Sequence, residues 1–323
     1  MKYIVIKTLL VALFFSAVPI AQAQNAYPSR PVKVIVSYPP GGATDIMARL
    51  VAVKLSELWG QPVIVDNKPG ANGNIGAEIA AKSAPDGYTL FMNTSSHAIG
   101  AGLYKSLNYD LIKDFSNVTM LASVPNVLVI SNTLPFKDVK EFIEYAKQNP
   151  GKLNFGSAGS GSNSHLSVEL FQSLTGTKFT HIPYKGNTGI LTDLIGGNIS
   201  FTIDSLPPYL PMVKEGRIKA LGISSVKRSA IMPNLPTISE SGVANYRTTA
   251  WFGFSAPIGL PQEALQKIST DTMRVLRMPD VIAKLAELGA EPGGGTPEQF
   301  DAHVKSEVEK FLKIIQDVKI QLQ

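Results

Sequence analysis

The sequence predicts an α/β protein in which parallel, helix-covered strands present their ends to a cleft between two lobes. Apolar runs of strand length alternate with segments of helical periodicity, which is typical of a parallel sheet covered by helices. Five of the strand-like runs end in glycine or in small hydroxyl, amide and acidic residues. These ends form two groups, residues 38–97 and 156–205. In open α/β sheets, ligands bind outside the carboxyl ends of the strands, so the two groups predict a cleft.

The first 23 residues are expected to be an export signal and not part of the fold. Lys2 and Lys7 form a basic start, residues 8–20 are almost wholly apolar, and residues 21–23 (Ala-Gln-Ala) supply a small-residue cleavage site. The apolar run is short for a membrane span. We therefore expect export and cleavage after Ala23. Removal of 23 residues from 323 leaves 300, enough for two domains with hydrophobic cores.

Composition excludes several classes of protein. The chain has no cysteine, so an exported chain of this size has no disulfide framework and depends on burial for stability. Loss of Lys2 and Lys7 takes the formal charge from +5 to +3. The remaining basic residues are scattered and form no run, which argues against nucleic acid as a partner.

The first group of junctions lies in the N-terminal part of the chain. Residues 32–36 predict a strand, residues 38–45 (Tyr-Pro-Pro-Gly-Gly-Ala-Thr-Asp) a turn, and residues 46–59 an apolar-faced helix ended by Gly60. Free N–H groups in the first turn of a helix form an anion site, and glycines let the anion approach. Taken alone, this stretch also fits an ordinary turn capped by Thr44 or Asp45. A second junction, residues 93–97, follows a predicted strand at 88–92.

The second group repeats this design three times. The predicted strands at 153–156, 181–184 and 199–203 run into residues 157–165, 185–189 and 204–208. Residues 157–164 could instead be a flexible linker, but their position between a strand and a strongly periodic helix argues against this. Elsewhere the pattern predicts strands at 61–66, 121–130, 218–223 and 251–254 and helices at 75–82 and 136–148. It also predicts two C-terminal helices. One has Pro261 at its first position, and the other begins with a capping box at Thr296.

The five junctions contain no arginine, although a bidentate arginine is the usual partner of a carboxylate. Their possible cations are Lys185, His97 and His165. Neutral donors, helix N-termini and water would then have to bind an anion. A carboxylate beside an anion site repels the ligand, so we expect Asp45 to cap the helix while the ligand uses the loop amides before it.

Several segments together resemble one known family. They are residues 39–45, 60–71, 73–77, 85–90, 164–166, 183–186 and 251–253. On these segments the chain resembles, over nearly its whole mature length, the extracytoplasmic solute receptors of tripartite tricarboxylate transporters, often called Bug receptors. The resemblance implies a type II periplasmic binding protein fold, with two α/β lobes that close on a small carboxylate. It also implies a periplasmic receptor without a cofactor that delivers its ligand to membrane transporter subunits.

The resemblance also implies domain boundaries and a binding site. Lobe 1 would comprise residues 24–127 with 246–323 and lobe 2 residues 128–245, with a hinge near 125–130 and 245–252, in a monomer. One carboxylate would be held largely by backbone amides and ordered water at residues 38–45. The expected ligand-binding residues are Tyr38, Gly42, Ala43, Thr44, Asp45, Thr94, Ser95, His97, Ser157, Ser162, Asn163, Lys185, Gly186 and Asp204. Which carboxylate is bound, aliphatic or aromatic, stays open.

The main alternative is an exported α/β hydrolase acting on a small carboxylate ester. The Gly-x-Ser-x-Gly elbow of such enzymes does not occur in the chain, and the adjacent Ser164 and His165 do not by themselves form a nucleophile–base pair. The four histidines contain no i, i+4 pair and cysteine is absent, so no metal site is expected. Residues 159–161 (Gly-Ser-Gly) lack the third glycine of a dinucleotide-binding turn. We expect a receptor and not an enzyme.

Overall fold

The computed structural model describes residues 27–317. The predicted export signal and its cleavage after Ala23 lie outside the described residues. The strands are β1 (Val32–Val36), β2 (Val63–Asn67), β3 (Thr89–Thr94), β4 (Phe115–Ser131), β5 (Asn154–Ser157), β6 (Thr180–Pro183), β7 (Phe201–Ser205), β8 (Ile218–Ile223), β9 (Thr249–Pro257) and β10 (Glu291–Gly294). The helices are α1 (Ala43–Trp59), α2 (Asn74–Ala81), α3 (Ser95–Leu103), α4 (Val139–Gln148), α5 (Asn163–Thr175), α6 (Asn187–Gly196), α7 (Leu210–Lys214), α8 (Gln262–Leu276), α9 (Pro279–Glu287) and α10 (Pro297–Asp317).

The strands form one mixed sheet in the order β2-β1-β3-β9-β4-β7-β5-β6, with β8 and β10 also paired to β4. The predicted α/β fold is confirmed. The prediction of a parallel sheet is correct for two sets of strands, β2-β1-β3 and β6-β5-β7. It is wrong for the centre, because β9 runs antiparallel to both β3 and β4, and β4 runs antiparallel to β7. β9 comes from a distant part of the chain, so no helical crossover fixes its direction.

The 17-residue strand β4 belongs to two parts of the sheet. Its first residues, up to Pro125, pair with β9, whereas Asn126 to Ile130 pair with β7, and Val127 to Ser131 pair with β8. We call β1, β2, β3, β9, β10 and the start of β4 the first half-sheet, and β5, β6, β7, β8 and the end of β4 the second. The chain therefore crosses between the halves at Pro125–Asn126 and returns before Thr249.

Three helices end at glycines, where the sequence predicted that they would end. Gly60, Gly176 and Gly197 end α1, α5 and α6 in the left-handed region, with φ of 62°, 70° and 77°. Glycine adopts this conformation without the steric cost of a Cβ.

Other elements differ from the prediction. The C-terminal region contains three helices, α8, α9 and α10, where two were expected. Pro261 stands just before the first turn of α8. β10, with the sequence Glu-Pro-Gly-Gly, and the five-residue α7 were missed, because neither carries a periodic apolar pattern.

Helices cover the sheet on both faces. In the first half-sheet, Met47 and Leu55 of α1 and Ile268 of α8 pack in one core cluster. The opposite core cluster contains Ile99 of α3 with Phe300 and Phe311 of α10. A third cluster, rich in phenylalanine, fills the second half-sheet. Between residues 27 and 317, no helix combines the length and apolar character needed to span a bilayer.

Candidate functional site

Four helices begin at the wall of one cavity of about 340 Å³. The cavity wall includes first-turn residues of α1, α3, α5 and α6, and its lining residues come from both half-sheets. Those residues are Tyr38, Ala43, Thr44, Thr94, Ser95, Ser96, Ala158, Ser162, Asn163, Ser164, Asn187, Asp204, Ser205, Ala250 and Phe252. The first N–H groups of a helix lack an intrahelical acceptor and carry its partial positive charge. Four such ends directed at one small space favour an anion.

At the β1–α1 junction, the carboxylate of Asp45 is directed away from this cavity. Its Oδ2 accepts hydrogen bonds from the Gly41 N–H and the Arg49 Nε at 3.0 Å each, and its Oδ1 accepts one from Asn67 Nδ2 at 2.9 Å. Burial raises the pKa of Asp45, but the donors, with Arg49 first, hold it below the usual value. The N-cap residue is Gly42, and Asp45 reaches back to the residue before it. Asp45 is therefore an ionised structural group with its own cation.

Arg49 was missed by the sequence reasoning, which considered only the junctions themselves. The spacing of Asp45 and Arg49 along α1, i and i+4, places the two side chains next to each other and was the available signal.

At the β3–α3 junction, His97 is part of a helix cap. Its Nδ1 accepts the Thr94 N–H at 3.0 Å, and Thr94 in turn caps the first turn of α3. Burial lowers the pKa of His97 to about 3, so the imidazole is neutral. Its Nε2 is packed so close to Gly73 that a Cβ there would lie 2.9 Å away. The cavity wall at this junction consists of Thr94, Ser95 and Ser96.

At the β5–α5 junction, hydroxyl groups hold the loop as well as line the cavity. Ser162 is the N-cap of α5, and its Oγ accepts the His165 N–H at 3.2 Å. Ser164 Oγ accepts the Ala158 N–H at 3.0 Å. Ser157 lies behind this wall, where its Oγ hydrogen-bonds His181 Nε2 at 2.5 Å. Burial, and then the neighbouring His165, lower the pKa of His181 to about 4.

At the end of β7, Asp204 brings a carboxylate into the cavity wall. It is buried, and it accepts hydrogen bonds from Tyr209 Oη and the Ser205 N–H at 2.8 Å each and from Asn187 Nδ2. Burial raises the pKa of Asp204, and these three donors oppose the shift without reversing it. Among the described residues, no lysine, arginine or histidine lines this cavity.

Contacts between the half-sheets enclose the cavity. The Asn163 N–H donates to Ser96 Oγ at 3.1 Å, Thr188 Oγ1 donates to the Pro40 carbonyl at 3.0 Å, and Tyr104 Oη donates to the Ser160 carbonyl at 2.8 Å. A Cβ on Gly42 would lie 2.8 Å from Asn187 Oδ1, and one on Gly186 would lie 2.7 Å from Pro39 Cδ. In this structure the two half-sheets are therefore in contact beside the cavity, and two glycines permit the approach.

The structure brings eight of the fourteen expected residues to the cavity wall, namely Tyr38, Ala43, Thr44, Thr94, Ser95, Ser162, Asn163 and Asp204. Gly42, Asp45, His97, Ser157 and Gly186 lie behind the wall and shape the turns, and Lys185 is exposed. The sequence reasoning did not select seven lining residues, which are Ser96, Ala158, Ser164, Asn187, Ser205, Ala250 and Phe252. Five of them stand inside the predicted junctions, which was the available signal. Ala250 and Phe252 lie in β9, where no junction pointed to them.

Solved structures of known proteins share this fold. An R. palustris protein solved with adipate is 40% identical, with a TM-score of 0.89 over 91% of this chain and 99% of that one. The periplasmic binding protein BugD is 30% identical, with a TM-score of 0.88 over 92% of this chain and 100% of that one. MatC from Rhodopseudomonas palustris, with bound malate, is 31% identical, with a TM-score of 0.85 over 90% of this chain and 100% of that one.

The predicted periplasmic binding protein fold is thereby confirmed. A family model described as "Tripartite tricarboxylate transporter family receptor" matches residues 47–320. This match spans most of the chain, including α1 from Met47 onward and the whole of α3, α5 and α6. The chain belongs to the receptor family of tripartite tricarboxylate transporters.

Proposed function

We propose that this protein is a periplasmic receptor that captures a small organic carboxylate in the cavity and delivers it to the membrane subunits of a tripartite tricarboxylate-type transporter. The observation that carries the proposal is the convergence of four helix N-termini on a cavity at which residues 27–317 place no cationic side chain. Adipate and malate are the ligands of two related structures. Both are small carboxylates, which supports the same class here.

The energetics of the wall suit such a ligand. A helix N-terminus stabilises an anion by roughly 0.3–1 kcal/mol, and a hydrogen bond to a charged group contributes about 1.5–3 kcal/mol. A few such contacts therefore replace an arginine, and bridging water satisfies the remaining ligand oxygens.

Binding would close two lobes, residues 24–127 with 246–323 and residues 128–245. The crossing of β4 at Pro125–Asn126 and the return before β9 support a hinge near 125–130 and 245–252. Hinge closure is a common response of two-lobed binding proteins to ligand. Small-angle scattering of the purified protein should show a smaller radius of gyration with saturating ligand, and an unchanged radius would contradict closure.

A hydrolase receives no support from the site. Ser157 and His181 form a serine–histidine pair, but Ser157 is fully buried and neither residue lines the cavity. Related structures are solute-binding proteins. A receptor releases its ligand chemically unchanged, so mass spectrometry of ligand recovered after denaturation should detect no product.

A thermal-shift screen of organic acids and neutral sugars tests the proposal. A ligand that binds only the folded state raises its stability by RT ln(1 + [L]/Kd), about 2.7 kcal/mol at a hundredfold excess over Kd. We expect at least one mono- or dicarboxylate to raise the melting temperature and the sugars to have no effect. A response to sugars alone would refute carboxylate binding.

Export and oligomeric state belong to the same proposal. The intact mass of the protein from a periplasmic fraction should correspond to a chain starting at Gln24, and light scattering should give a monomer. A mass that retains residues 1–23 would contradict cleavage after Ala23.

A further inference from the structure

Among the residues that the structure describes, Asp204 is the one acidic side chain that lines the cavity. The same wall includes no lysine, arginine or histidine of the described part of the chain. A carboxylate in the wall of a proposed carboxylate site therefore has no cation to neutralise it. Its position at the end of β7 places it in the second half-sheet, whereas α1 and α3 begin in the first.

The hydrogen bonds of Asp204 show what this carboxylate can still accept. Oδ2 accepts from Tyr209 Oη and Asn187 Nδ2, and Oδ1 accepts from the Ser205 N–H. An ionised carboxylate has about four acceptor positions. Three donors leave about one position unused, on a group that is 3% exposed and lines the cavity.

A plain dicarboxylate does not fit this arrangement well. A second ligand carboxylate against Asp204 would place two like charges side by side, and one of them would have to bind a proton. A hydroxyl or an ammonium group on the ligand instead supplies the missing donor. The donor and the ligand carboxylate then contact different groups of the cavity wall.

We propose that Asp204 makes this receptor select carboxylates that also carry a hydroxyl or ammonium group over the same acids without one. This inference rests on the proposed function, since it names the ligand class of the same cavity. Asp204 would accept the ligand's donor, while the helix N-termini bind its carboxylate.

Matched ligands test the preference without any mutation. Succinate, malate and aspartate share four carbons and differ at one position by hydrogen, hydroxyl or ammonium. Adipate, 2-hydroxyadipate and 2-aminoadipate form the same series with six carbons. In calorimetry at pH 7.5, we expect a donor-bearing member of at least one series to bind about ten- to a hundredfold more tightly than its plain parent. Comparison of the hydroxyl and ammonium forms identifies which donor Asp204 accepts.

Equal or tighter binding of succinate and adipate would overturn the inference. If all six acids fail to bind while other carboxylates respond in the thermal screen, the inference fails and the proposed function stands. If no carboxylate of any kind binds, the proposed function itself fails.

The variant Asp204→Asn locates the preference. It replaces one acceptor oxygen by a donor amide, so the ratio between donor-bearing and plain acids should fall to within about threefold. Asp193→Asn is the matched control, because Asp193 is in the same half-sheet region but outside the cavity wall. Circular dichroism and thermal unfolding establish that each variant is folded. An unchanged ratio in folded Asp204→Asn would overturn the assignment, and if that variant does not fold, the wild-type series decides alone.

Discussion

Two buried aspartates near the cavity have opposite electrostatic settings. Asp45 at the β1–α1 junction and Asp204 at the end of β7 are each 3% exposed. Asp45 pairs with Arg49 at 3.0 Å and has a lowered pKa, whereas Asp204 has only neutral donors and a raised pKa. Nearness to an anion site therefore does not fix the role of a carboxylate. Its partner and the direction it faces decide that role.

The same contrast extends to the two sides of the cavity. The β1–α1 and β3–α3 side offers backbone N–H groups and hydroxyls, with Asp45 paired and His97 neutral behind the wall. This side can bind any carboxylate. The β7 side adds the one acidic group and can distinguish between carboxylates. The first three predictions below alter the β1–α1 and β3–α3 side, and the fourth alters its contact with the β7 side.

Loss of one backbone hydrogen-bond donor from the β1–α1 and β3–α3 side, which we call the generic side, should have the largest effect on ligand affinity. In Ala43→Pro the N–H at the first position of α1 is lost, while the fixed φ of proline is tolerated there. Gly42 is extended, with ψ of 168°, as a residue before proline requires. One hydrogen bond to a charged group contributes roughly 1.5–3 kcal/mol, so calorimetry should show a ten- to hundredfold loss of affinity.

Lys185→Met is the comparison for that variant. Lys185 is exposed and outside the cavity wall, so the affinity of the variant for the ligand should differ from that of the wild type by less than about threefold. Circular dichroism confirms that both variants are folded. If Lys185→Met abolishes binding while Ala43→Pro is silent, a charged side chain and not the loop backbone binds the ligand.

The neutral state of His97 predicts a pH dependence of stability. The folded pKa is about 3 and the unfolded value about 6.5, so between these values only the unfolded chain binds the proton. Stability is therefore complete above pH 6.5 and is lost as the pH falls, by about 2 kcal/mol at pH 5 from this residue.

His97→Gln isolates this contribution. A glutamine at this position can still accept the Thr94 N–H, since glutamine is a normal third residue of a capping box. Urea unfolding at pH 7 and pH 5 should show a smaller loss of stability in the variant than in the wild type. Some loss should remain, because His181 also has a lowered pKa, of about 4. Identical pH dependence in both proteins, or a large loss of ligand affinity at pH 7, would contradict a neutral structural role.

Arg49→Met would remove the cationic partner of Asp45 and so give it a setting like that of Asp204, with neutral donors only. It leaves the buried Asp45 carboxylate with Gly41 and Asn67 as donors and no cation. Repulsion between that carboxylate and a ligand anion roughly 10 Å away costs about 1–2 kcal/mol at an effective dielectric constant near 20, which is about tenfold in affinity. The control is Arg30→Met, which removes an exposed ion pair with Asp86. Equal affinities in the two variants would show that Arg49 does not neutralise Asp45 for the ligand.

Local signals made the junctions predictable from the sequence. Strand-length apolar runs, glycine stops and small polar residues predicted the starts of α1, α3, α5 and α6, and eight of the fourteen expected residues line the cavity. Long-range pairing carried no such signal. The antiparallel β9 is brought beside β3 and β4 by the return of the chain, so Ala250 and Phe252 could not be connected to the cavity.

Side-chain direction was the other unpredictable quantity. Asp45, His97 and Asp204 all stand at junctions, but only Asp204 lines the cavity. The difference depends on Arg49, one turn along α1, and on Gly73, whose lack of a side chain leaves room for His97. These contacts exist only after the chain has folded.

Gly42→Ala is expected to have the smallest effect, and it tests the contact between the two sides. Gly42 has φ of −78°, so alanine adds no backbone strain, but its Cβ would lie 2.8 Å from Asn187 Oδ1. Asn187 is held by its hydrogen bond to Asp204. The clash therefore disturbs the contact between the generic side and the β7 side of the cavity. A modest clash costs about 1 kcal/mol, which is about fivefold in affinity. We expect the ligand-free form not to make this contact, so thermal unfolding without ligand should match the control Gly196→Ala, whose Cβ has 3.5 Å to its nearest neighbour, Asn198 Nδ2. If the variant loses as much stability without ligand as it loses in binding free energy, the two sides stay in contact without ligand. Asp45 and Asp204 would then belong to one rigid site.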